Sequence, residues 1–90
     1  MTNANPMPLL TSNATAIFKL KQQFPELSNK QFMSCLAYSI GMDASDIASV
    51  SGNTYEAVKK QLQRSKISLN LDKLESIRSI FIMRMLWVLL

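Results

Sequence analysis

The sequence predicts an all-α fold, a small helical bundle in which a tetrahelical helix-turn-helix module follows an extra N-terminal helix. Three observations carry that prediction. Apolar residues recur at steps of three and four along most of the chain. Ser, Thr, Asn or Asp stands where such runs begin, and Gly, Asn or Pro where they end. No stretch alternates apolar and polar residues as a half-buried strand would, and no internal repeat or second domain is visible.

Residues 1–12 contain Pro6 and Pro8 and have no periodicity, so they read as a flexible N-terminal arm. Asn13 is placed to cap a packing helix over residues 13–25, in which Ile17, Leu20 and Phe24 recur at helical spacing until Pro25 stops it. Residues 27–90 form the main domain. Ser28 or Asn29 starts a helix to about Ile40, with Phe32, Cys35, Leu36, Ala37 and Ile40 on its apolar face and Gly41 as a left-handed C-cap. Asp43 or Ser45 caps a short helix whose Ile47, Ala48 and Val50 face inward, and Gly52 supplies the turn after it. Asn53 or Thr54 caps the next helix, Glu56 offers a capping box to Asn53, and the helix runs to about Ser68. Asn70, tolerant of positive φ, breaks it. Asp72 with Glu75 gives another capping box and starts the last helix.

Composition narrows the function. Ninety residues make one small domain, and 48% apolar residues suffice for a core. The net charge of +4 suits an anionic partner. With no His and one Cys, neither a His/Cys zinc site nor a His-dependent triad can be assembled. A lone Cys cannot form an internal disulfide, which fits a reducing, cytoplasmic setting. The first residues lack a basic segment followed by an apolar run, so no signal peptide is expected. Residues 79–90 are strongly apolar, but a bilayer span needs roughly 20 residues and Arg84 interrupts this run, so no membrane span is expected. Asp43 and Asp46 read as helix caps, Cys35 as a core residue, and the six methionines as packing filler. No phosphate loop, catalytic carboxylate pair or activated nucleophile stands out, so an enzyme is not expected, nor any cofactor or metal.

The chemistry concentrates on the helix after Gly52. Tyr55, Val58, Leu62 and Leu69 step along one side as a buried stripe. Lys59, Gln63 and Lys66 lie nearly in line on another face, flanked by Lys60 and Arg64. A major groove about 12 Å wide admits one such helix. Long donors on its exposed edge reach guanine acceptors, and Gln pairs bidentately with adenine. Lys60, Arg64 and Lys66 can also neutralise phosphates, and Thr54 can offer one its hydroxyl and the helix N-terminal amides.

Residues 27–77 resemble the LuxR/FixJ-type (GerE-like) DNA-binding domain without a gap. Leu27-Ser28 stand where that family opens its first helix, and Gly41 on its glycine between the first two helices. Ile47-Ala48 match its Ile-Ala, Gly52 its turn glycine, Thr54 its Ser or Thr, and Val58-Lys59 its Val-Lys. Leu69-Asn70-Leu71 stand for its Leu-Gly-Val, and Ser34, Asn53, Gln31 and Gln61 depart from its pattern. The resemblance implies base contacts from Lys59, Lys60 and Gln63, backbone contacts from Thr54 and its polar neighbours, and dimerisation through the helix after Asp72. That family usually carries a further domain ahead of this module. Because the chain starts at Met1, a free-standing small regulator is expected.

The C-terminal helix is the second place of interest. Leu74, Ile77, Phe81, Met85 and Val88 can form one stripe, while Ile80, Met83 and Trp87 project elsewhere. A helix apolar around most of its girth must be covered on two sides. A two-fold homodimer with Ile80, Met83, Arg84 and Trp87 at its seam does so, and sets two recognition helices about 34 Å apart. The alternative is closure within the chain by the N-terminal helix. The reading is therefore a DNA-binding transcriptional regulator acting on double-stranded DNA as a dimer. Two alternatives are an interaction protein that pairs through this helix with RNA polymerase or another regulator, and a membrane-surface factor anchored by residues 79–90.

Overall fold

The computed structural model describes residues 14–90, so the arm over residues 1–12 and the Asn13 cap lie outside the described residues. Five helices follow in order: α1 (Ala14–Gln22), α2 (Asn29–Ser39), α3 (Ala44–Ser51), α4 (Tyr55–Ser68) and α5 (Ser76–Leu89). No strand occurs among the described residues. The protein is a small all-helical bundle. α2 is its centre, packing on both α4 and α5, while α3 lies against α4 and α1 against α5.

Local chemistry explains the boundaries. The Ser28 hydroxyl accepts from the Gln31 amide while the Gln31 side chain accepts from the Ser28 amide at 2.8 Å, a full capping box for α2. Asp43 and Asp46 do the same for α3, at 2.8 and 3.2 Å. At the end of α2 the Met42 amide donates to the Ala37 carbonyl and the Gly41 amide to that of Tyr38. This closing motif holds Gly41 at φ 112°, one residue past the cap Ile40. The end of α4 repeats it: Leu71 donates to Lys66, Asn70 to Ile67, and Asn70 takes φ 57°.

The core is aromatic at its centre. The Phe24 and Phe81 rings stack with centroids 4.0 Å apart, and Phe32 meets both at 6.0 and 5.6 Å. Cys35, Val58, Leu62 and Ile77 complete it without measurable exposure beyond 1%. Two arginines of α5 tie that helix to the rest. The Arg78 Nε donates to the Tyr38 carbonyl at 2.8 Å while its guanidinium stacks on the Tyr38 ring. Arg84 donates to the Gln23 carbonyl at 2.6 Å, pairs with both Glu26 oxygens at 3.1 Å, and lies over the Phe24 ring. The Arg84 hydrogen bond holds the Glu26 carboxyl below the usual carboxylate range.

Several expectations are corrected here. No Asp72–Glu75 capping box forms; α5 begins at Ser76, and Ser76, Ile77 and Arg78 instead donate to carbonyls three residues back. Asn53 makes no box with Glu56, because its amides donate to the Ser51 hydroxyl and Thr54 is the cap. The first helix stops at Gln22, leaving Phe24 in the turn that follows. Ile40 and Val50, expected to face inward, are 70% and 74% exposed. Ile40 lies beyond the last turn of α2, and Val50 falls to the side of the arc that Ala44, Ile47 and Ala48 define. Tyr55 is also exposed, its ring open beside the Lys59 ammonium at 5.1 Å.

Candidate nucleic-acid interface

α4 owes its orientation to a buried stripe. Val58, Leu62 and Leu69 are buried, joined by Ser65, which no apolar periodicity could signal. Ser65 is fully buried on the side of α4 that faces the core, and its hydroxyl donates to the Gln61 carbonyl at 2.6 Å. The small polar residue stays satisfied, and no buried side-chain nitrogen or oxygen among the described residues lacks a partner.

With that stripe committed inward, the opposite face is wet. Lys59, Lys60, Gln63 and Arg64 are all exposed, and with Glu56 and Ile67 they line one shallow open concavity. Three cations against one carboxylate leave this surface positive. Thr54 is exposed at the N-terminus of α4, its oxygen accepting from the Ala57 amide at 3.1 Å while its own O–H stays free to donate. Lys66 stands apart: it is half-buried and off the concavity. The lysines are thus not pinned under neighbouring helices, and the segment is helical throughout.

Glu56 and Ile67 are the members that sequence reasoning missed. They lie four residues before Lys60 and four after Gln63, so extending the helical step from those two side chains would have found both. Glu56 can accept from a cytosine amino group, and the exposed Ile67 can meet a thymine methyl. Both are base-edge chemistry of the same groove. Nothing on α4 resembles a metal or cofactor site, and no group of three His, Cys, Asp or Glu side chains gathers among the described residues.

The residues expected at a dimer seam divide. Met83 and Trp87 are 63% and 76% exposed. Ile80 is half-buried against the core. Arg84 is engaged with Glu26, Gln23 and Phe24 of its own chain, so it is not free to line a seam. Ile82, Leu86, Leu89 and Leu90 extend the exposed apolar stripe instead. No helix among the described residues is long and apolar enough to cross a membrane. Comparison with known protein families, characterised proteins and solved structures finds no match for the chain. The resemblance drawn over residues 27–77 gains nothing from it.

Cys35 lies behind α4 and takes no part in its exposed face. Burial pushes its thiol from 9.0 up to about 11, partly offset by the Ser65 hydrogen bond. The fold favours the protonated thiol, so this contribution is complete below pH 9. It is lost as pH rises through about 11, where the unfolded chain has already ionised. We expect urea denaturation between about pH 8 and about pH 11 to show wild type losing roughly 2–3 kcal/mol more than Cys35→Ala. Parallel pH profiles would contradict this account of the thiol.

Proposed function

We propose that the chain is a sequence-specific DNA-binding transcriptional regulator that lays α4 in the major groove of double-stranded DNA. One observation carries the reading: on the side of α4 opposite its buried stripe, Lys59, Lys60, Gln63 and Arg64 are exposed together on one positive surface. Lys59, Lys60 and Gln63 read base edges; Arg64 and Lys66 neutralise flanking phosphates, and Thr54 donates to a phosphate at the helix N-terminus. The resemblance of residues 27–77 to the GerE-like module points the same way, with the three residues Gly52, Asn53 and Thr54 as the turn between α3 and α4. Phosphate neutralisation releases counterions, so affinity falls steeply with salt. Genomic fragments selected on the chain, then tested by mobility shift across a salt series, examine this. Lys59→Ala with Gln63→Ala is expected to cost about 10-fold to 100-fold in preference for the selected site over unrelated DNA. Lys66→Ala is expected to weaken both alike. Site preference intact in the double variant would defeat the assignment of base contacts.

The apolar stripe on α5 supports homodimerisation as the second part of the reading. Ile82, Met83, Leu86, Trp87 and Leu90 follow one another at helical spacing and are all more than half exposed. A two-fold pairing of this face buries it and offers two recognition helices to adjacent half-sites. Met83→Glu with Trp87→Glu changes only exposed positions, so the bundle should persist while sedimentation shows a monomer. A dimer mass retained in that variant would rule out this face. A wild-type monomer that forms a complex with RNA polymerase or another regulator would favour the interaction-protein reading.

A further inference from the structure

A second concave site lies on the other flank of α4, between the first turns of α2, the end of α3 and Gln61. Its volume is about 380 Å³, within the range of small-molecule sites. Its walls are mostly apolar, from Met33, Ala37, Ile47 and Val50. Met33 and Val50 are 56% and 74% exposed, so the apolar wall they form is open to an incoming molecule. Polar side chains, Asn29, Lys30, Ser34, Ser51, Asn53 and Gln61, edge the apolar surface, and Asn53 is held on the Ser51 hydroxyl. Ser34, 6% exposed at the floor, donates its hydroxyl to the Gln61 Oε1. That bond orients the Gln61 amide and leaves Nε2 without a protein partner among the described residues, open to solvent. Lys30 stands on the rim, and the lining holds no carboxylate. Among the described residues the salt bridge is Arg84 with Glu26, so the Lys30 ammonium is unpaired.

We infer that this cleft is a binding site for a small amphipathic carboxylate. The apolar body lies along Met33, Ala37 and Val50, and the carboxylate accepts from the Gln61 Nε2 and pairs with the Lys30 ammonium. Charge decides the class of ligand. An oriented amide donor and an unpaired cation with no competing anion select an anionic acceptor over a neutral or cationic one. The site is separate from the DNA-reading face, since its lining and that of the cationic concavity share no residue. It does not depend on that reading.

The test uses the full ¹⁵N-labelled chain with octanoate and octan-1-ol, each kept below its aggregation concentration. Saturable amide shifts are expected at Met33, Ser34 and Val50 and at the Gln61 side-chain amide, with octanoate binding more tightly than octanol. Lys30→Glu should weaken octanoate about tenfold and leave octanol unchanged, and Val50→Asp should weaken both. Both positions are exposed, and the dispersion of the same spectra reports whether each variant is folded. The proposal is overturned by any of three results. These are the absence of saturable shifts, shifts confined to the Leu86 and Trp87 face of α5, or octanoate affinity unchanged in Lys30→Glu.

Discussion

One packing constraint organises this molecule: α4 has a single narrow strip, Val58, Leu62, Ser65 and Leu69, that fits against α2 and α3. At 3.6 residues per turn those four positions overlie one another, so burying any of them buries all. The rest of the helix has no freedom left. Lys59, Lys60, Gln63 and Arg64 must face solvent because turning them inward would strand uncompensated charge in an apolar core. The cationic surface is thus a consequence of how α4 is held, with Ser65 fully buried in the same strip.

α2 transmits that constraint to the C-terminal helix. Phe32 joins the Phe24–Phe81 stack, and two arginines fasten α5, Arg78 in its first turn to the end of α2 and Arg84 at its middle to the turn after α1. This fixes which side of α5 is spent on the core. Ile77 and Phe81 vanish into it, and the side bearing Trp87 is left uncovered. A positive face on α4 and an apolar face on α5 are therefore held in one bundle, the arrangement on which the proposed function rests.

Much of this was legible before any coordinates. Helix number and order, a cap at Ser28 or Asn29 and at Asp43 or Ser45, the positive φ at Gly41 and Asn70, and the exposure of Lys59, Lys60 and Arg64 all follow from local chemistry in the sequence, whereas Lys66 is half-buried. What escaped was non-local. Capping residues at Asp72 and Glu75 were present, but the chain left α4 through a left-handed turn and closed backbone bonds of its own before α5 began. Val50 and Tyr55 are apolar enough for a core but fall outside arcs set by their neighbours. Arg84 gave no sign of its partners, because Glu26 and Gln23 lie about sixty residues away in the chain. Ser65 and the Ser34–Gln61 bond are polar groups buried at helix contacts, where hydrophobic periodicity is silent.

The most direct test of the proposed function is whether DNA perturbs the labelled chain, and where. Titrating it with its selected duplex should move the Gln63 side-chain amide and the amides from Thr54 to Ile67 most, and protect the Lys59, Lys60 and Arg64 side chains from exchange. No saturable perturbation by any duplex, or perturbations confined to α1 and α5 with α4 unmoved, would contradict the account.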